Sequence, residues 1–443
     1  MMQSSLQLID EEAEKKPDRE IADLGVRRTE RPRLVILGGG FAGLHLVRNL
    51  EKSDFQIVLI DKHNHHTFQP LLYQVATSSL EADSVAYPLR KPLRKHPDYH
   101  FRMAEVQRIV SGDNTIVTNR GTIEYDYLVI ATGARTNYFG MDNIKKHALP
   151  MKTVDEALKI RNEILHNFEE ALYTHDPQER QKLTNIVIAG GGPTGVELAG
   201  SIAEFRRYIM PQDYPDLDIE QSKIYLIELL PELLGPMSDE ASAKSEEYLQ
   251  QLGVDIKKDT KILDYDGEVV KTDQGNIPAK IMLWTGGVSG AFPEGLDDGL
   301  VTKKGRIKVG ETGQVMGHER IFALGDVASI ESKDHPKGYP QLASVAVQQG
   351  RFMAENLMRL RKGKSLKPFR YKNKGTMATI GRKKAVVDMP GFKFQGTTAW
   401  LVWLGVHLFS LVGFKNKLVT FTNWAWNYLR HDRETRLIIK DSQ

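Results

Sequence analysis

The chain has 443 residues, a near-balanced formal charge of +3, 37 glycines and no cysteine. That length supports two or three domains with substantial cores, and the charge balance speaks against a bulk nucleic-acid binder. The absence of cysteine excludes a disulfide scaffold, a thiolate metal site, a redox thiol pair and a cysteine nucleophile. Residues 1–31 are strongly charged and hold no apolar stretch of signal-peptide length. They are expected to form either a helix on the body or a loose arm. The arm is favoured because there is little apolar surface to bury.

Residues 33–37 read as a buried parallel strand. The strand runs straight into Gly38-Gly39-Gly40-Phe41-Ala42-Gly43. Gly38, Gly40 and Gly43 have the spacing of a dinucleotide cradle: one for a tight turn, one for close approach to pyrophosphate, one for helix-on-strand packing. A helix over 44–50 would present its N-terminus to the phosphates. A second strand, 56–60, ends at Asp61, where a carboxylate can take ribose hydroxyls. His63, His65 and His66 follow, with 63 and 65 on one strand face but no third ligand at a useful spacing. They read as surface or packing residues.

The pattern returns at 185–189, followed by Gly190-Gly191-Gly192-Pro193-Thr194-Gly195. Gly190, Gly192 and Gly195 repeat the spacing. The next strand, 223–227, ends at Glu228 with no Arg close behind. An acid there suits the free 2′-hydroxyl of NADH and repels the 2′-phosphate of NADPH. Strands at 127–131, 280–284 and 321–324 each run into a glycine turn, the last ending in Gly325-Asp326.

The order of these elements resembles the two-dinucleotide-binding flavoprotein fold. The fold class expected is α/β: two Rossmann-type domains, the second inserted in the first, with a C-terminal helical region at a membrane surface. The resemblance implies an FAD domain over 32–150 and 295–375, an NADH domain over 151–294 and a membrane-associating region over 376–443. It also implies that Asp326 approaches the ribityl or pyrophosphate part of FAD, and that Thr132 and Gly133 line the flavin pocket. FAD would be resident at the first cradle. NADH, leaving as NAD+, would load and leave at the second. Hydride transfer then needs two rings held together, since the cofactors carry the hard chemistry.

Disulfide reductases and sulfide-oxidising quinone reductases on this fold use cysteines, so neither fits. A quinone, oxygen or a redox protein remains as acceptor. From Arg359 to Lys384 there are 11 Lys or Arg and no acid. Residues 399–414 are apolar, no charge falls between Lys393 and Lys415, and four of the five tryptophans lie between 400 and 426. Aromatic amphiphiles beside cations suit the interfacial layer of a bilayer. The apolar run is shorter than the roughly 20 residues a spanning helix needs. A helix lying in one leaflet is therefore expected, with a core helix, a spanning helix or a homodimer face as the other readings.

The resemblance narrows to the type II, single-subunit, non-proton-pumping NADH:quinone oxidoreductase family. Residues 61–76, from Asp61 and Lys62 to Ala76, are similar to that family's stretch after the ribose-binding acid. Residues 192–200 match its nicotinamide loop, and 284–288, with Gly287, its loop beside the flavin. Glu197 matches the family's glutamate near the nicotinamide and the flavin–quinone region. Residues 340–350 resemble its quinone segment. Ala343, Ala346 and Gln348 keep the pattern, while Ser344 stands where a glutamine is common, so a water, Gln341 or Gln348 is expected to take the quinone carbonyl. The implied partners are ubiquinone or menaquinone and membrane lipids, at the cytoplasmic face of the inner membrane. The alternative is a soluble NADH-dependent reductase serving a ferredoxin- or rubredoxin-like protein.

Overall fold

The computed structural model describes residues 23–438, except 93, 95, 333, 334, 431, 432 and 434. Two parallel sheets organise it. In the first, Arg33–Leu37 lies between Gln56–Asp61 and Tyr127–Ile130, with Tyr99–Met103 and Ile321–Ala323 outside. The register sets Arg33 against Gln56 and Leu34 against Tyr127. The central strand is buried on both faces, as expected of a continuous apolar run covered by helices. The second sheet repeats the order. Ile186–Ala189 lies between Ile224–Ile227 and Ile281–Trp284, flanked by Val254–Lys257 and Leu149–Pro150.

The chain crosses between the sheets earlier than residue 151 and returns earlier than 294. The crossing is an antiparallel pair, Ala134–Thr136 with Val288–Gly290. Beyond it, Tyr138, Met141 and Ile144 already pack with Val187 and Trp284. The indole of Trp284 explains this: it stacks on Tyr138 and donates to the Asn137 carbonyl at 2.8 Å.

Two further expectations shift. Residues 1–22 of the N-terminal arm lie outside the described residues, but from Asp23 onward the chain lies on the first domain. Leu24 and Val26 are buried, and the Leu24 N–H donates to the Thr122 carbonyl at 3.0 Å. The C-terminal region opens with a three-stranded antiparallel sheet, Thr376–Thr379, Ala385–Met389 and Phe392–Gln395. Its central strand is buried over Ala385–Val387, and the last strand, Phe392–Gln395, is largely exposed. Only then come the helices Thr397–Ser410 and Phe414–Arg430.

The largest apolar core joins the helix Pro193–Tyr208 to this sheet and to Trp403. Gly200 makes the close approach possible, because a side chain there would stand 2.9 Å from the Gly381 nitrogen.

Candidate functional site

The two glycine loops have nearly the same geometry. Gly38 and Gly190 hold positive φ, +100° and +105°. A β-carbon on Gly43 would meet the Gly38 oxygen at 1.9 Å, and one on Gly195 would meet the Gly190 oxygen at the same distance. Gly40 and Gly192 face open space instead. Each begins a helix, through Leu44 N–H to Gly40 O and Val196 N–H to Gly192 O. The open Cα beside a helix N-terminus is where a pyrophosphate can approach and meet unpaired N–H groups.

The carboxylates are set alike. Asp61 Oδ2 accepts from the Gly39 N–H at 2.6 Å and Oδ1 from the His63 N–H at 2.8 Å. Glu228 Oε2 accepts from the Gly191 N–H at 2.5 Å and Oε1 from the Leu230 N–H at 2.8 Å. Both acids are thereby held at the rim of their cradles. Lys62 is exposed just outside the first.

The surroundings of the first cradle fit a larger ligand than a phosphate. Thr132 Oγ1 and His63 Nε2 are buried without a hydrogen-bond partner, and such groups ordinarily have one. Gly133 turns at φ +74°, and its carbonyl accepts from the Ala291 N–H. His66 packs edge-on to Phe41, with Nδ1 3.0 Å from the Gly39 carbonyl. Burial pushes its imidazole down to about 4, so it is neutral. Among the described residues no group of three His, Asp or Glu has a metal-holding arrangement.

Asp326 is half-buried in a tight turn, Gly325–Val327. Burial raises its pKa against the opposing pull of Lys152 and Arg306. Lys152 is half-buried, and desolvation lowers its pKa. Sequence reading missed both cations, because each is distant in sequence and sits in no motif. Gly287 lies against the Phe139 ring, at the mouth between the domains.

The helix Ala343–Arg361 brings the next group. Gln341 Nε2 donates to the Asp326 carbonyl at 3.0 Å. Gln349, which sequence reading passed over, is buried and accepts from the Gly325 N–H at 2.6 Å. Two glutamine side chains therefore clamp the Gly325–Asp326 turn. Ser344 Oγ lies 3.0 Å from Tyr371 Oη. Gln348 points elsewhere: its amide both donates to and accepts from the Lys372 backbone at 3.0 Å. Helical spacing explains the difference, since 345, 346, 349 and 350 form the buried face and 348 does not.

Glu197 lies on the second glycine helix, buried, with the Thr379 N–H 3.5 Å from its carboxyl. Burial raises it to about 8; the Thr379 N–H and the nearby Trp403 indole oppose that shift. The Trp403 N–H makes no regular hydrogen bond. At neutral pH Glu197 therefore keeps its proton.

The last two helices cover this region. Trp424 Nε1 donates to Gln74 Oε1 at 2.7 Å, Asn427 to the Ser79 carbonyl at 3.0 Å, and Asn416 to the Ala86 carbonyl at 2.7 Å. These polar contacts tie the inner face to residues 74–86. The outer face is apolar: Phe409 is 79% exposed and Phe414 81%, with Leu401, Leu418 and Phe421 also exposed. Arg382 and Lys383 sit over the Tyr428 ring beside it. Among the described residues no helix is long and apolar enough to cross a membrane.

Two family models match the chain: pyridine nucleotide-disulphide oxidoreductase over residues 32–350, and NDH2 C-terminal domain over 373–431. It is 34% identical over 433 residues to the type II NADH:quinone oxidoreductase Ndh of Mycobacterium tuberculosis, spanning 93% of this chain and 91% of the relative. A type II NADH:quinone oxidoreductase of Staphylococcus epidermidis is 30% identical, across 84% of this chain and 92% of its own. The structure of NDH2 from Plasmodium falciparum in complex with NADH superimposes with a TM-score of 0.85 at 21% identity, covering 93% of this chain and 100% of that one. The sulfide:quinone oxidoreductase of Aquifex aeolicus gives 0.67 at 19%, covering 90% and 96%. At such identities the two solved structures speak for the fold.

Proposed function

The chain belongs to the type II NADH:quinone oxidoreductase family, and on that premise we propose a residue-level route from NADH to a membrane quinone. The protein binds FAD and NADH and reduces quinone. A bound flavin would supply the hydride-accepting and two-electron-transferring chemistry. What the chain supplies is placement.

In our reading Gly38, Gly40, Phe41, Ala42 and Gly43 would hold FAD, with Asp61 placed to take its ribose hydroxyls. Thr132, Gly133 and Asp326 stand farther along it, and Lys62 stays at the rim. NADH lies along Gly190, Gly192 and Gly195, with Glu228 on its adenosine ribose and Gly287 where the rings meet. The deep, protonated Glu197 stands near them.

The quinone approaches the start of the helix Ala343–Arg361. Gln341 and the Ser344–Tyr371 pair are the polar groups there. Gln348 reaches a ring only by releasing the Lys372 backbone.

The observation that carries the membrane part of this reading is the exposed apolar face of the last two helices. Phe409 and Phe414 project outward while asparagines pin the inner side. A bilayer interface covers such a face, and the cations beside Tyr428 suit anionic headgroups.

The test uses FAD-loaded protein with vesicles containing anionic lipid. NADH should bleach the flavin, and a short-chain ubiquinone or menaquinone should restore it. The protein should co-sediment with the vesicles. Bleaching that neither quinone reverses sinks the quinone route. Dimers that form in place of vesicle binding assign the apolar face to a second copy.

A further inference from the structure

Between the crossing strand Ala134–Thr136 and the helix Asp142–His147 the chain turns on Tyr138-Phe139-Gly140-Met141. The Met141 N–H donates to the Tyr138 carbonyl at 3.0 Å. Both central residues hold positive φ, +52° at Phe139 and +79° at Gly140. Such mirror-image turns favour Asn-Gly. Gly140 meets that demand. Phe139 does not, because a bulky side chain in the left-handed region is strained.

Nothing in the packing of the turn asks for a phenyl ring. Tyr138 stacks on Trp284, and Met141 packs with the same core. Phe139, between them, is 62% exposed and belongs to none of the apolar cores of the described residues. Its place is nevertheless fixed. Asn137 Oδ1 accepts from the Phe139 N–H at 2.9 Å, and the Asn137 N–H donates to the Gly287 carbonyl at 3.1 Å. The ring rests on Gly287, where a β-carbon would stand 2.9 Å from its Cζ.

Gly287 belongs to the loop that closes one end of the second cradle. A β-carbon on Gly190 would stand 2.9 Å from the Gly286 Cα and the Thr285 carbonyl, and Thr285 Oγ1 donates to the Ala189 carbonyl at 2.7 Å. The sheet order gives the direction. Ile186–Ala189 lies between the strand that ends before Glu228 and the strand that runs into residues 285–287. A dinucleotide with its adenosine ribose at Glu228 and its pyrophosphate at Gly192 therefore extends its other half across Gly286 and Gly287.

We propose that Phe139 is a binding residue for the nicotinamide half of NADH, its ring packing against that nucleoside as it crosses the loop. The proposal rests on the reading that NADH lies along the second cradle. The turn carries strain so that the ring is in place before NADH arrives, and little freedom is then lost on binding.

The experiment measures binding to FAD-loaded protein by calorimetry, with two probes. Tetrahydro-NADH has the whole dinucleotide, but its saturated ring gives no hydride. ADP-ribose lacks the nicotinamide. Phe139→Asn, which suits the left-handed region, should bind tetrahydro-NADH about tenfold more weakly, of the order of losing part of a ring's burial. ADP-ribose should bind it within about twofold of wild type, since no contact to that half has changed. Phe139→Tyr keeps the ring and should bind both probes as the wild type does. Phe139→Asn should also melt about 2 °C higher, because the turn then has its preferred pair. A ring kept for folding would give the opposite sign.

Unchanged tetrahydro-NADH binding in Phe139→Asn overturns the proposal, as does an equal loss for ADP-ribose or a lower melting temperature. Should Phe139→Asn fail to fold, Phe139→Gly is read on the same probes, and undiminished tetrahydro-NADH binding there overturns the proposal too. Gly192→Ala tests the underlying reading separately. ADP-ribose that binds this variant as tightly as wild type refutes the second cradle as the NADH site, and the proposal with it. Loss of ADP-ribose in Gly192→Ala beside normal behaviour of Phe139→Asn refutes the proposal alone.

Discussion

The helix Phe41–Asn49 and the helix Pro193–Tyr208 start from the same glycine geometry and end in different surroundings. The first is short, and Ala42, Leu44, Leu46 and Val47 face an apolar core. It packs so tightly on the helix Ala343–Arg361 that a side chain on Gly350 would stand 2.4 Å from the Ala42 oxygen. The second is nearly twice as long and buries Glu197, Ser201 and Glu204 on one side. Glycine spacing therefore specifies a phosphate cradle and says nothing about what the helix carries beyond its first turn. A sealed apolar seat suits a cofactor that stays. A helix with buried acids beneath a cover of two C-terminal helices suits a site through which substrates pass.

The largest effect should come from the glycines that face backbone. Gly43→Ala and Gly195→Ala each place a methyl 1.9 Å from a carbonyl oxygen. Each should cost about 3 kcal/mol, the upper range for overpacking, read as a lower thermal midpoint. The two should differ in colour. Gly43→Ala is expected to be purified without flavin. Gly195→Ala is expected to keep the flavin and lose bleaching by NADH. Gly40→Ala and Gly192→Ala meet no protein atom within 4 Å. They should fold normally and lose nucleotide binding alone. Equal melting of all four variants would remove the argument from packing.

Next in size is the pH dependence set by Glu197. Its folded pKa, about 8, lies above the ordinary carboxyl value near 4.5. Between those values the folded protein holds a proton that the unfolded chain releases. Its stabilising contribution is thus full below about 4.5 and is lost as pH rises through about 8. Glu197→Gln cannot ionise, so its melting temperature should fall less than the wild type's across that window. Parallel melting curves from pH 5 to about 9 would show that the carboxyl does not titrate there. The corresponding position of the first helix is His45, whose imidazole is pushed down by burial to about 4; its stabilising contribution has the opposite sense, full above the ordinary value of 6.5 and lost as pH falls through about 4.

The cover itself is the third test. Phe409→Ser with Phe414→Ser removes two rings from the exposed face. It should weaken vesicle binding by about 2 kcal/mol, near the transfer value of one fully buried ring, because neither ring is expected to be wholly immersed. Co-sedimentation measures it. Melting temperature should hold steady, since neither ring belongs to a described core.

Both cradles could be read from sequence because their determinants are contiguous: strand, glycines, helix, strand, acid. The strands form within a residue of their local pattern, whereas the first helix begins at Phe41, three residues before the expected start, because the open Gly40 serves as its cap. The crossing near Ala134–Thr136 could not be read, because Trp284 draws residues 137–150 into the second domain across a long sequence gap. The antiparallel sheet at 376–395 was hidden for a similar reason: cationic residues around it dominated the reading. Gln349 escaped because the family pattern singles out its neighbour, whereas helical phase decides which of two adjacent glutamines turns inward. Lys152, Arg306 and Arg433 are isolated cations whose meaning lies in acids distant in the chain. Tertiary placement alone gives them a role.

The smallest effect should fall on Glu228, and it returns to the two cradles where they are most alike. Glu228→Gln keeps one oxygen for the Gly191 or Leu230 N–H and replaces the other by a donor. It removes the charge while leaving the cradle folded. NADH should bind about fivefold more weakly, near 1 kcal/mol for one hydrogen bond to a ribose hydroxyl. NADPH should bind better than in the wild type, because the repulsion of its 2′-phosphate is gone. Titrating flavin bleaching with each nucleotide measures both. Asp61→Asn makes the same change at the first cradle, yet FAD should remain bound through purification, since a sealed seat offers many other contacts. If the Asn variant loses its flavin as readily as the Gln variant loses NADH preference, the contrast between a resident and a passing dinucleotide does not arise from packing around the loops.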